Sequence, residues 1–121
     1  FLVVVHDTPR KEAAGLAERV IEAVGGTPYQ LKDKQTEKLT CSIGYAAYPL
    51  SSKHFSALSW EATVGIADVG MYAAKNNERN TWFGFTTARP DTAAQDMAKI
   101  QQDPAFVFEY AHVEARAKPS K

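Results

Sequence analysis

The chain has 121 residues, 45% hydrophobic and 23% charged, enough for one domain around one core and an ordinary balance for a globular protein, which argues against disorder over most of its length. Fourteen basic and fourteen acidic residues cancel and no basic run occurs, which argues against non-specific nucleic-acid binding, since that needs several phosphate-facing cations. Cys41 is the only cysteine, so no internal disulfide forms and a reducing compartment fits.

Phe1-Leu2-Val3-Val4-Val5 is continuously apolar but too short to span a bilayer and without a basic leader. It predicts a strand over residues 1–6, buried on both faces. A native chain rarely begins inside a core strand, so the expectation is a segment of a longer protein. Thr8 is then the predicted N-cap and Pro9 the first position of a helix. Its apolar face is predicted to hold Ala13, Leu16, Ala17, Val20 and Val24, with Arg10, Lys11, Glu18 and Glu22 in water. Gly25-Gly26 ends it, glycine accepting a left-handed C′ position without strain.

Residues 27–32 and 38–48 predict two strands around the polar turn Asp33-Lys34-Gln35-Thr36. In the second, Leu39, Cys41, Ile43 and Tyr45 point one way and Thr40, Ser42 and Gly44 the other. Cys41 is expected to be a small buried hydrophobe. Gly44 marks a bulge or a close backbone approach. Ser59 caps a helix from about 60 to 77 with Val64, Ala67, Met71 and Ala74 inward, and residues 81–85 form a short strand. Beyond a linker at 86–90, Asp91 is expected to cap a short helix reaching about Gln102, broken by Asp103-Pro104. Phe106, Phe108, Tyr110 and His112 alternate with smaller or charged residues and predict a final strand with an aromatic face. Residues 117–121 read as a frayed end.

This order predicts an α/β sandwich with a mixed or largely antiparallel sheet. The central hairpin argues against an all-parallel Rossmann arrangement, and no glycine-rich phosphate loop is present. A phosphate would therefore be held by side chains. Lys75 and Arg79 are four residues apart, one helical turn and one face, where a triphosphate would bridge them. A ligand is not the sole reason for such a pair, because cations in the last turn of a helix gain ~0.3–1 kcal/mol each from its dipole with nothing bound. Asp68 sits mid-helix without an acidic neighbour and reads as structural. His6, His54 and His112 are widely spaced and show no metal-ligand pattern.

Several blocks in order carry a resemblance. Phe1-Leu2-Val3-Val4-Val5 with Asp7-Thr8, Leu16-Ala17-Glu18-Arg19-Val20, Leu39-Thr40-Cys41-Ser42-Ile43-Gly44-Tyr45-Ala46, and Ala67-Asp68 through Met71-Tyr72, Ala74-Lys75 and Arg79-Asn80 together resemble the C-terminal part of a GGDEF domain, the bacterial diguanylate cyclase family. Phe1 matches the last letter of the signature. The resemblance implies a palm-like, nucleotidyl cyclase-type domain, N-terminally incomplete, over residues 1–85, with 86–121 as a C-terminal extension. It implies two domains facing each other as a homodimer, each holding GTP, and joining them into cyclic di-GMP with magnesium or manganese. The carboxylates for that metal would precede Phe1, so no catalytic residue and no metal ligand is assigned on this chain, which alone is expected to be inactive. Lys75 and Arg79 match the family's triphosphate-binding residues. Arg19 matches an arginine of the inhibitory site for cyclic di-GMP, the alternative being an ion pair with Glu18 or Glu22. A cytoplasmic location follows from the same resemblance, with any membrane anchor elsewhere in the parent. The sequence departs from the family at Glu78, where glycine is usual. Glutamate there bears a steric cost unless Asn77 takes the left-handed turn instead, and it brings negative charge beside the phosphate site. A second reading implied by that departure is a degenerate domain that binds GTP or cyclic di-GMP, or dimerises, without turnover.

Overall fold

From the N-terminus, a 3₁₀ turn over Arg10–Glu12 leads into helix α1 (Ala13–Gly25). An antiparallel ribbon of β1 (Tyr29–Gln30) and β2 (Thr36–Glu37) follows, then β3 (Ser42–Ala46), α2 (Trp60–Asn76) and β4 (Thr81–Phe85). The chain continues through α3 (Ala94–Gln102), a 3₁₀ turn over Pro104–Phe106, α4 (Val107–Tyr110) and β5 (Glu114–Ala115). The computed structural model describes residues 1–26, 28–30, 32 and 35–117. The predicted strand at 27–32, the turn at 33–36 and the tail at 117–121 therefore lie partly outside the described residues. The main sheet has the order β3-β4-β5, with β3 and β4 parallel across the crossover helix α2 and β5 antiparallel to β4. This is the mixed α/β architecture that the element order predicts.

Side-chain alternation on β3 sorts the two faces of the sheet. Cys41, Ile43 and Tyr45 pack against a cluster of Ala17 and Ile21 from α1 with Trp82 from β4. Burial raises the Cys41 thiol above its ordinary ionisation range. Leu39, assigned to the same face, is exposed. Gly44 faces the other way, towards α2, and the close approach read from the sequence is real. A Cβ on Gly44 would lie 1.8 Å from the Ala67 carbonyl oxygen, and one on Gly70 would lie 2.8 Å from the Phe83 carbonyl oxygen. Helix α2 thus rests on the strands backbone to backbone.

Ser59 caps α2 as expected, its Oγ accepting the Ala62 N–H at 3.1 Å. The inward stripe is turned, however. Ala62, Thr63, Ile66, Gly70 and Ala74 are buried, while Val64, Ala67 and Met71 are half-buried. On α1 the buried residues are Ala17 and Ile21 with Ala14 packed beside them, and Val20 is exposed. Both helices carry apolar residues around much of their circumference, so periodicity leaves the stripe undetermined. On α2 the glycine seat decides it; on α1, Trp82 does.

Other expectations are corrected at the ends of elements. Residues 1–6 form no strand and Phe1 to Val5 are exposed. A strand exists through its neighbours, and none of the described residues pairs with this run. Thr8 does not cap α1; its hydroxyl donates to the His6 carbonyl, and Pro9 stands before the 3₁₀ turn. Arg10 is not free in water but donates to the carbonyl oxygens of Thr86 and Pro49. The helix ends at Gly25 as expected, yet Gly26 has φ −86° and is not left-handed. A Cβ there would meet the Glu22 carbonyl oxygen at 2.7 Å, so close approach is its constraint. The second strand, expected over 38–48, is shortened to β3, and β2 begins at Thr36, inside the expected turn.

The C-terminal segment completes the core around α2. Phe85, Met97, Ile100 and Val107 are fully buried and form one cluster with Leu50, Leu58 and Ile66. Asp96, not Asp91, serves the start of α3, accepting the Ala93 N–H at 2.9 Å. The aromatic run expected as a strand is helical as far as Tyr110, and Ala111 then forms an isolated antiparallel bridge with Ala88. Asp103 accepts the Ala105 N–H at 3.1 Å with Pro104 in the first turn, a strong helix start. Val107 and Ala111 then fall on one side, both buried, and the Phe108 ring meets Phe85 edge-on at 5.2 Å.

Candidate phosphate site at the end of the second helix

Helix α2 stops at Asn76, and the next four residues build a tight reversal. The Ala74 carbonyl oxygen accepts two backbone N–H groups, from Asn77 at 3.2 Å and from Arg79 at 3.1 Å. The Asn77 side chain donates to the Ala73 carbonyl at 2.7 Å. These bonds satisfy carbonyls that a helix end otherwise leaves open. Glu78, Arg79 and Asn80 then have φ of 72°, 58° and 48°, three consecutive left-handed residues. Asn77, with φ −116°, does not spare Glu78 the strain.

Left-handed backbone costs an ordinary L-residue ~1–2 kcal/mol, and glycine almost nothing. Glu78→Gly is therefore expected to raise unfolding free energy by about 1 kcal/mol, less the added entropy of a glycine in the unfolded chain. Urea unfolding checks it; an unchanged or lower midpoint would show that the turn is not strained at this residue.

Lys75 stands in the last turn of α2, exposed, with Nζ 5.5 Å from the centre of the Tyr72 ring. Arg79 is exposed in the loop. It does not share a helix face with Lys75, because the helix ends before it. Neither side chain forms an ion pair among the described residues. Asp68, which reads as structural in the sequence, is exposed on α2.

A second group of charges braces the loop from the sheet. Glu18 of α1, expected in water, accepts the Trp82 indole N–H at 3.0 Å and receives the Arg116 guanidinium through Nε at 3.0 and 3.1 Å and through Nη2 at 2.8 Å. The remaining edge of that guanidinium donates from Nη1 to the Asn80 carbonyl at 3.0 Å. The indole N–H first, and Arg116 after it, hold the Glu18 carboxyl below its ordinary range. Arg19, adjacent on α1, is exposed and is not the partner of Glu18. Nothing in the sequence announces the Glu18–Arg116 pair, whose members stand 98 residues apart.

Tyr45 lies on the same side of the sheet as α1. Its ring is 5.6 Å from that of Trp82 and covers Gly84. Burial, and after it the Glu114 carboxylate, push its phenol well above the ordinary tyrosine value, so it is neutral at physiological pH.

Among the described residues no three His, Cys, Asp or Glu side chains converge. No step through the magnesium or manganese implied by the resemblance is derived from them. No described helix is long and apolar enough to cross a membrane.

The family model described as Diguanylate cyclase, GGDEF domain, matches residues 1–81, a span that includes Lys75 and Arg79 and stops short of Arg116. No curated protein and no solved structure matches the chain.

Proposed function

Since the chain belongs to the GGDEF, diguanylate cyclase, family, we propose that the end of α2 grips the triphosphate of GTP in a domain that makes cyclic di-GMP. Lys75 supplies a mobile point charge and Arg79 a planar fork for two phosphate oxygens. Two such domains facing each other would present two GTP molecules for joining, with release of pyrophosphate, and the role of these cations is to neutralise the phosphate charge. The carboxylates that hold the metal belong, on this proposal, to the longer protein, in a cytoplasmic domain. The observation that carries the proposal is a pair of exposed cations without an acidic partner among the described residues, one on the last turn of α2 and one in the tied loop beyond it, inside the matched span.

Calorimetric titration of the intact protein with GTP tests it. Lys75→Ala and Arg79→Ala are each expected to weaken binding about tenfold, close to 1.4 kcal/mol, and to reduce cyclic di-GMP formation. Unchanged affinity in both variants would reject the phosphate role.

One observation favours a second reading. Glu78 occupies a strained left-handed position beside Arg79, putting a carboxylate next to the phosphate grip. A degenerate domain that binds GTP or cyclic di-GMP without turnover fits that placement. Binding without product formation by the intact protein would support it, with Arg19→Ala weakening cyclic di-GMP but not GTP if Arg19 serves a separate product site.

A further inference from the structure

The loop that carries Arg79 is held from two directions. On the helix side, its own N–H is bonded to Ala74. On the sheet side, the next carbonyl, that of Asn80, is bonded to Arg116. Arg116 is itself fixed three ways. Its backbone N–H donates to the Trp82 carbonyl at 3.1 Å, its Nε and Nη2 lie along the Glu18 carboxylate, and that carboxylate is oriented by the Trp82 indole. One planar guanidinium thus uses one edge on an acid and the other on a backbone oxygen, an arrangement an ammonium group does not reproduce.

What is held there is a strained conformation. Three consecutive left-handed residues persist only where surrounding structure over-determines them. Release of the Asn80 carbonyl lets this stretch relax towards negative φ, which redirects the Arg79 side chain. We infer that Arg116, seated on Glu18, is a positioning residue for the phosphate grip: by pinning Asn80 it sets the pose of Arg79. The inference rests on the phosphate role proposed for Arg79 and extends it, since Arg116 lies outside the matched span. The segment after β4 is then a working part of the nucleotide site and not only a cover for the core.

Two measurements on the intact protein test this. The first is amide hydrogen exchange at Arg79, which reads the loop without any nucleotide. Arg116→Ala is expected to speed it about tenfold relative to amides in the middle of α2, and Glu18→Gln to speed it less. Unchanged protection at Arg79 in both variants would overturn the positioning role.

The second is a double-mutant cycle on GTP affinity. Arg116→Ala alone is expected to weaken GTP binding about fivefold, Arg116→Lys by an intermediate factor, and Arg116→Ala in an Arg79→Ala background not at all. A full additional loss in that background would mean that Arg116 acts independently of Arg79, and would overturn the inference. Thermal melts of each variant confirm that binding is read on folded protein. A phosphate role that fails shows itself separately, as unchanged GTP affinity in Arg79→Ala.

Discussion

Gly44→Ala is expected to destabilise the domain by about 3 kcal/mol or more, the upper end of overpacking costs, and to lower the melting temperature by about 10 °C. The added methyl would meet the Ala67 carbonyl oxygen at 1.8 Å, the Met71 nitrogen at 2.1 Å and the Gly70 carbonyl carbon at 2.8 Å. All three are backbone atoms, so no rotamer change relieves the clash and α2 has to lift from β3. Backbone strain plays no part, since no described glycine has positive φ. Gly15→Ala is the natural control: a Cβ there meets nothing within 4 Å, and in a helix interior alanine gains up to ~1 kcal/mol over glycine. Urea unfolding followed by circular dichroism compares the two. A loss below about 1 kcal/mol for Gly44→Ala would mean that helix and strand are not seated as described.

Phe85→Ala is expected to cost about 3–5 kcal/mol, the usual range for emptying a fully buried aromatic site. Phe85 ends β4 and has no exposed surface, with Leu50 and Ile66 on one side of the sequence and Met97, Ile100 and Val107 on the other. The same variant decides the conformation of the aromatic run. With Phe108 edge-on to Phe85 at 5.2 Å, a double-mutant cycle between them is expected to give a coupling of about 0.5–1.5 kcal/mol. Additive losses would place Phe108 elsewhere, as the strand expected from the sequence would. Denaturant unfolding of the two single variants and the double variant supplies the three numbers.

Elements whose signals are local and strong were legible in the sequence. Ser59 before an apolar run, residues 81–85 between turn signals, and Asp103-Pro104 as a break each correspond to an observed boundary. Gly44 was legible for a similar reason: glycine weakens a strand interior, so its presence in one points to a bulge or a close backbone approach. What failed depended on partners. Residues 1–6 have the composition of a buried strand but no neighbouring strand among the described residues. The aromatic alternation at 106–113 satisfies a period of two, yet the cap at Asp103 and the fit of Val107 and Ala111 into the core imposed a helical turn. Periodicity cannot rank those terms against each other.

The candidate site divides along the same line. Spacing and the family resemblance single out Lys75 and Arg79, and both are exposed, at and just beyond the end of α2. Their spacing of four does not put them on one helix face, because the helix ends and the left-handed turn begins between them. Glutamate on a helix face reads as solvated, and Glu18 departs from that. Its actual partners come from β4 and from beyond β5, and a contact across 98 residues leaves no local trace.

The glycine seat under α2 also limits how the helix can shift on the sheet. Interfaces built from interdigitated side chains can slip by a notch as rotamers change, whereas Gly44 and Gly70 offer nothing to re-pack. Sliding the helix, 17 residues and about 25 Å long, along the strands would bring a Cβ onto backbone where glycine now sits.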